Sequence, residues 1–112
     1  MTQVQQPLDL YTVCTYNCSM DVIWDPVKAR ANWRKHGVDF ADAAVALQDE
    51  YALTIVTVED REQRFKSLAM SPENRLLLIV YAEDDENTIA IISARLASAS
   101  QKRQYYENNY DE

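Results

Sequence analysis

Two periods of apolar residues divide the chain after Met20. Between Pro26 and Leu47, apolar side chains recur every three or four residues, which is the spacing of one face of an α-helix. From Leu53 onward, apolar and β-branched residues come in short runs separated by polar turns, which is typical of strands. The pattern therefore predicts an α+β domain in which two helices are followed by a sheet.

Capping residues mark the ends of the two predicted helices. Asp25 can accept hydrogen bonds from free amides while Pro26 fits the first helical position, so the first helix is predicted to run from Pro26 to about His36. Gly37 suits the left-handed residue that ends a helix. Asp39 can cap the second helix, whose apolar stripe consists of Phe40, Ala43, Ala44 and Leu47.

Strands are predicted on both sides of this helical pair, and a helix closes the chain. A short strand, Asp21 to Trp24, precedes the helices, and Gln101 to Tyr110 is predicted to be the closing helix. The connections between the later strands are short, so we expect an antiparallel meander with its most apolar strand in the centre. Those strands are Leu53–Val58, Arg64–Met70, Leu76–Glu83 and Thr88–Arg95.

The first 19 residues differ from the rest because they are polar, rich in glutamine and without a helical period. The predicted domain is therefore 20–112, with 1–19 as an extension that either is mobile or precedes the natural start at Met20. We favour the second explanation. Residues 1–19 lack a basic stretch followed by an apolar one, and the chain has no apolar run of membrane-spanning length, so a cytoplasmic protein is expected.

The acidic balance restricts how the protein can bind nucleic acid. The formal charge of the 112 residues is −7, so the overall field repels RNA, and binding would require a local cluster of cations. Charges are screened over about 8 Å at physiological salt, which lets such a cluster act locally. Cys14 and Cys18 with the lone His36 do not supply a four-ligand zinc site, so reduced thiols and no cofactor are expected.

Several motifs resemble the BrnT family of toxins from type II toxin–antitoxin systems. The opening signature is Trp24-Asp25-Pro26-Val27-Lys28-Ala29, followed by Asn32, Lys35-His36-Gly37-Val38 and Phe40. Further matches, in the family's order and spacing, are Arg64-Phe65, Leu76-Leu77-Leu78-Ile79-Val80-Tyr81 and Ile91-Ile92-Ser93-Ala94-Arg95. The resemblance spans about Met20 to Glu107.

This resemblance implies a RelE-like fold, with two N-terminal helices packed on a mainly antiparallel sheet of four to five strands and a C-terminal helix. It also implies a metal-independent ribonuclease that a BrnA-like, ribbon-helix-helix antitoxin neutralises. RNA would be the substrate, DNA would be contacted only through the antitoxin, and no membrane would be involved.

Cationic and aromatic residues late in the chain are the candidates for this chemistry. A charged phosphorane needs arginine-like donors, and the attacking and leaving oxygens need groups that move protons. Spacing and resemblance together make Arg64 and Arg95 the predicted phosphate clamps and Tyr105 or Lys102 the proton handler. Two further residues, Lys66 and Arg103, are predicted to bind RNA.

Other interpretations of the same residues stay open. Arg64 and Lys66 could form a solvated strand face paired with Glu59 or Glu62, Arg95 could bind helix carbonyls, and Tyr105 could be a packing contact. The resemblance would also place cations at Ala90 and Leu96 and a glutamate at Gln101. These departures favour an alternative, a weakened or inactive homologue that binds the antitoxin and takes part in autoregulation.

Overall fold

Three helices and one six-stranded sheet make up the protein. The computed structural model describes the backbone of residues 9–14 and 19–110 and the side chains of residues 21–108. The strands follow the order β1-β2-β6-β5-β4-β3 across the sheet. In chain order the elements are β1 (Asp9–Cys14), β2 (Ser19–Trp24), α1 (Pro26–His36), α2 (Phe40–Ala46), β3 (Leu53–Glu59), β4 (Glu62–Met70), β5 (Leu76–Asp85), β6 (Thr88–Leu96) and α3 (Ala99–Tyr110).

The predicted α+β class is confirmed, and the sheet has one strand more than predicted. The additional strand is β1, which lies in the polar extension and pairs antiparallel with β2. The six residues of β1 show no regular alternation of apolar and polar side chains, so the pattern did not indicate a strand there. The remaining residues of the predicted extension, 1–8 and 15–18, lie outside the described residues, and the start at Met20 stays a prediction.

Both N-terminal helices begin at the predicted capping residues, and α1 also ends at the predicted Gly37. The Asp25 carboxylate accepts a hydrogen bond from the Val27 amide at 2.9 Å, and Gly37 adopts the left-handed conformation with φ of 68°. Asp39 repeats the arrangement for α2, accepting from the Ala41 amide at 3.0 Å. Local side-chain hydrogen bonds therefore determine these boundaries, which is why the sequence predicts them.

The predicted meander is confirmed for β3 to β6, which pair antiparallel with their neighbours, and β5 lies inside the sheet. The strand before the helices, β2, pairs with β6 in parallel. The two helices lead the chain from the end of β2 into β3, which runs in the opposite direction to β2. Because β3 to β6 alternate in direction, β6 runs in the same direction as β2.

The main core lies between this helical pair and one face of the sheet, which we call the inner face. Phe40 is fully buried there and meets Trp24 edge to face, with ring centroids 6.2 Å apart. Leu77 and Ile79 of β5 and Ala94 of β6 are also fully buried in this cluster. Burial of these apolar side chains is the main stabilising contribution on this face.

Asn32 is a buried polar side chain that ties α1 to the sheet. Its amide nitrogen donates to the Val38 carbonyl at 3.1 Å and to the Ala94 carbonyl at 2.8 Å, and its oxygen accepts from the Ala94 amide at 3.2 Å. A buried amide is tolerated in a core only when it is paired in this way. Asn32 therefore fixes the position of α1 over β6.

A β-bulge in β6 determines which residues face the helical pair. Ser93 pairs with Val80 and Ile91 with Tyr81, which leaves Ile92 as an additional residue on β6. An extra residue reverses the alternation of side chains along a strand. Ala94 consequently faces the core, and the next residue, Arg95, faces the opposite side of the sheet.

Candidate functional site

A groove runs between α3 and the sheet face opposite the helical pair, which we call the groove face. Its volume is about 370 Å³, and its floor is formed by β3 to β6. Apolar and polar side chains both contribute to its walls. The lining residues are Leu53, Ile55, Lys66, Leu68, Leu78, Arg95, Gln101 and Gln104.

Two of the predicted phosphate-binding residues, Lys66 and Arg95, line this groove together. Lys66 lies opposite Val80 and Arg95 opposite Leu78, so both side chains project from the same face of the sheet. Strand spacing and rise place their Cα atoms roughly 12 Å apart. The structure thus brings together two cations that are 29 positions apart in the sequence.

Arg64 shares this face but lies farther from Arg95. Since Phe65 pairs with Tyr81, Arg64 is level with Ala82, one step beyond Lys66. Its Cα is roughly 17 Å from that of Arg95. The two predicted clamps cannot hold the same phosphate oxygens from these positions, and Lys66 is the cation nearer to Arg95.

Glutamates already pair with two of these cations. Arg64 contacts Glu62 at 2.8 Å, and Lys66 contacts Glu59 at 3.3 Å, with both carboxylates at least half exposed. Exposed pairs of this kind contribute about 1 kcal/mol or less, so an approaching phosphate can compete for the cations. The surface pairing that the sequence left open is therefore present.

Arg95 differs from both because no carboxylate within the described chain pairs with it. Its guanidinium donates to the neighbouring Leu96 carbonyl at 3.3 Å, and the side chain is exposed. Its hydrogen-bond partner is therefore a β6 carbonyl rather than a carbonyl of α3. Arg95 keeps most of its donors available, which suits a phosphate ligand.

The first turn of α3 contains a reciprocal cap that involves Gln101. The Gln101 amide donates to the Ser98 hydroxyl at 3.1 Å, and the Gln101 side-chain oxygen accepts from the Ser98 amide at 2.9 Å. This Ser-x-x-Gln capping box satisfies two free donors of the helix end. Gln101 thus has a structural reason for its place at the groove rim.

The remaining predicted residues on α3 do not line the groove. Lys102 and Arg103 are exposed, whereas the neighbouring Gln101 and Gln104 are the helix residues that reach it. Side chains one or two positions apart on a helix point in different directions. This placement argues against proton transfer by Lys102 and against RNA binding by Arg103 in the groove.

Tyr105 is buried and has a structural hydrogen bond. Its hydroxyl donates to the Asp49 carboxylate at 2.5 Å, and its ring packs in a small cluster with Leu68 and Leu76. Burial, the hydrogen bond to Asp49 and the charge of that carboxylate raise the pKa of Tyr105 well above its usual range. This placement argues against the proton-handling role, which stays a prediction, and the packing contact that the sequence left open is present.

Asp49 joins three parts of the chain, a role that the sequence did not predict. Besides Tyr105 of α3, its carboxylate accepts from the Tyr51 amide at 2.9 Å and from the Met70 amide at 2.9 Å. Adjacent acidic residues at the end of a helix give no sign of such distant partners.

Gln104 is a groove-lining residue that the sequence did not predict. The only signal that could have indicated it is its position three residues after Gln101 on the same helix face.

No cluster of three or more His, Cys, Asp or Glu side chains suited to a metal ion occurs within the described residues. Among the same residues, no helix is both long enough and apolar enough to cross a membrane.

Comparison with known proteins finds a matching family and a similar solved structure. The sequence profile described as "Ribonuclease toxin, BrnT, of type II toxin-antitoxin system" matches residues 24–101. The fold is similar to that of the Brucella abortus ribonuclease toxin BrnT in its crystal structure, with a TM-score of 0.55 and 27% sequence identity. The match covers 67% of this chain and 92% of the Brucella chain. No curated protein matches the sequence.

Proposed function

This chain belongs to the BrnT family of ribonuclease toxins of type II toxin–antitoxin systems, and we propose that it cleaves RNA without a metal ion in the groove between α3 and the sheet. The observation that supports this site is the convergence of Lys66 and Arg95 on one groove. Both residues offer charged donors to a phosphodiester, and Arg95 does so without a competing carboxylate in the described chain.

The proposed reaction is attack of the ribose 2′-oxygen on the adjacent phosphorus. A P–O2′ bond forms and the P–O5′ bond breaks, which leaves a 2′,3′-cyclic phosphate and a 5′-hydroxyl. Arg95 stabilises the additional negative charge on the phosphorane. Lys66 lines the same groove and donates the proton that the leaving 5′-oxygen requires, while the 2′-hydroxyl proton passes to water.

We test this proposal by expressing the chain without an antitoxin and by incubating the purified protein with RNA. Growth arrest, cleavage that persists in a chelator, and cyclic-phosphate ends are expected. Replacing Arg64 and Arg95 together by alanine should abolish cleavage and toxicity. Arg61→Asn, which removes an exposed cation from the β3–β4 turn, is the matched control and should stay toxic. A double variant as toxic as the unaltered chain would exclude this site.

A second function is favoured by the pairing of Arg64 and Lys66 with glutamates. These carboxylates, together with Ala90 and Leu96 where the resemblance places cations, are consistent with an inactive homologue that binds the antitoxin and regulates its operon. Normal growth and intact RNA in the same expression experiment would support this function and contradict the first.

Both functions require an antitoxin, which the toxin family implies. We propose a BrnA-like protein with a ribbon-helix-helix domain, so that DNA is contacted only through the antitoxin, and a cytoplasmic complex. Co-expression with the adjacent reading frame should yield a complex that no longer arrests growth. Independent purification of the two chains would contradict this assignment.

A further inference from the structure

Helix α1 concentrates positive charge in an acidic protein. Four of the chain's eleven lysines and arginines lie in this helix, at Lys28, Arg30, Arg34 and Lys35, and α1 contains no acidic residue. With a formal charge of −7 for the whole chain, the rest of the molecule is more negative still. The helix therefore provides the local cluster of cations that an acidic protein needs in order to hold a polyanion.

All four cations are exposed, and α1 packs on the sheet through the side that carries Asn32. Arg30 and Arg34 lie roughly 40° apart around the helix, whereas Lys28 lies roughly 160° from Arg30. Asn32 is buried there, whereas Val27 and Trp33 are 60% and 57% exposed. Within the described chain, no carboxylate forms an ion pair with any of the four. We call Arg30, Arg34 and Trp33 the basic surface.

Trp33 lies in a concave part of this surface. A depression of about 320 Å³ is lined by Ala29, Arg30, Trp33, Arg34 and Asp39. Arg30 and Arg34 are one helical turn apart, so their guanidinium groups lie on the same side of α1 next to the indole ring. This arrangement combines an aromatic surface for stacking with donors for phosphate.

We propose that the basic surface binds the phosphate backbone of single-stranded RNA, with a base stacked on Trp33. This rests on the proposed function, since it assigns to the same ribonuclease a substrate-holding surface outside its cleavage groove. Asn32 binds Ala94, the residue immediately before Arg95. The end of β6 therefore connects the basic surface on one side of the sheet with the groove on the other.

The distribution of apolar residues favours RNA over an acidic protein segment. Val27 and Trp33 are six residues apart, which places them roughly 120° apart around the helix. They form no continuous apolar patch of the kind found at the centre of a protein interface. An isolated indole beside two arginines that have no ion-pair partner in the described chain instead matches the alternating bases and phosphates of a single strand.

The test measures binding of a short 2′-O-methyl oligoribonucleotide by fluorescence anisotropy over a series of salt concentrations. This RNA lacks the 2′-hydroxyl that the cleavage needs, so binding is measured independently of activity. The double variant Arg30→Gln/Arg34→Gln should bind at least about tenfold more weakly near 0.1 M salt. The slope of log affinity against log salt should fall by roughly 1.4, because each lost phosphate contact removes about 0.7 for a single strand.

Further variants distinguish a loss of charge from a loss of folding, and a loss of base stacking from a loss of charge. Arg30→Lys/Arg34→Lys should keep the salt slope, whereas Arg61→Asn in the distant β3–β4 turn should leave both affinity and slope unchanged. Trp33→Ala should weaken binding about fivefold or more with the slope unchanged, and Trp33→Phe should retain most of the affinity.

Unchanged affinity and slope in Arg30→Gln/Arg34→Gln, with normal thermal unfolding, would overturn the inference. Loss of antitoxin binding in that variant while RNA binding persists would identify the basic surface as a protein interface and would also overturn it. The proposed function fails separately, through absent cleavage by the unaltered chain, because binding of the modified RNA does not require catalysis.

Discussion

The two faces of the sheet differ in how completely they are covered. The inner face lies under α1 and α2, where fully buried Phe40 and Ile79 pack in a continuous core and Asn32 has a partner for each of its polar atoms. The groove face is covered only at one end by α3, through a smaller cluster around Tyr105. Beyond this cluster, Lys66 and Arg95 line the groove, which is open to solvent.

This difference separates stability from chemistry. The close-packed part of the inner face, around Phe40 and Ile79, contributes most of the free energy of folding and leaves no room for a substrate. A cavity of about 210 Å³ lies beside it and is lined by residues that include Phe65, Ser67 and Tyr81. The open face loses some of that burial and in return keeps charged donors accessible. Substitutions on the two faces should therefore change different measurements, and four predictions test this separation.

The largest effect is expected from Arg95→Ala on the groove face. Loss of a preorganised donor should reduce the cleavage rate by about a hundred- to a thousandfold. Arg64→Ala should have a smaller effect, because Arg64 is paired with Glu62 and does not line the groove. Unfolding free energies of both variants should stay within about 0.5 kcal/mol of the unaltered protein. Equal losses of activity would show that the groove does not define the site.

On the inner face, Asn32→Ala should destabilise the protein by about 3 kcal/mol. The substitution leaves the buried Ala94 amide and the Val38 and Ala94 carbonyls without their hydrogen bonds to Asn32. Urea unfolding measures the loss, and Asn108→Ala on the exposed surface of α3 is the matched control. If Asn32→Ala lowered the cleavage rate of the folded protein without lowering its unfolding free energy, the separation of the two faces would not hold.

A smaller effect is expected from Tyr105→Phe, at about 1 kcal/mol in unfolding free energy. The folded-state pKa of Tyr105 is raised above its unfolded value by burial and by Asp49. The stabilisation is therefore complete below pH of about 10 and declines as the pH rises toward the raised value. Unfolding of both proteins across alkaline pH should show the difference shrinking above that pH. A loss of cleavage without loss of stability would instead support the predicted proton-transfer role of Tyr105.

The smallest effect is expected from Glu59→Gln, which releases Lys66 from an exposed ion pair. Stability should change by about 0.5 kcal/mol or less. Affinity for the 2′-O-methyl RNA should rise, because Lys66 no longer has a competing carboxylate. When Lys66→Gln is the background, Glu59→Gln should give no such increase. Unchanged affinity in both variants would indicate that Lys66 makes no contact with RNA.

Much of the fold was predictable because its determinants are local. Asp25, Gly37 and Asp39 act on amides and dihedral angles within four residues of themselves. The continuous apolar run from Leu76 to Ala82 in β5 likewise indicates its interior position. Strand β1 and the parallel pairing of β2 with β6 were not predicted, because neither leaves a regular pattern in nearby residues.

The candidate site was predictable only in part. Sequence reasoning identified Arg95 and Lys66, which the groove brings together, but it also included Tyr105, whose hydroxyl is bonded to Asp49. That bond joins residues 56 positions apart, so spacing along the chain cannot indicate it. The positive charge of α1 is evident in the sequence. Which of its residues are exposed became clear only from the structure, because the buried Asn32 identifies the side of the helix that packs on the sheet.

By itself, the sequence determined the type and order of the helices and of most strands, and both ends of α1, because hydrophobic period and capping act over a few residues. Tertiary structure alone decided the orientation of Arg95. Strict alternation from Ile89 and Ile91 would turn Arg95 toward the core, and the bulge at Ile92 turns it to the groove instead. A bulge depends on how β6 registers with β5, so the direction of this arginine is a property of the assembled sheet.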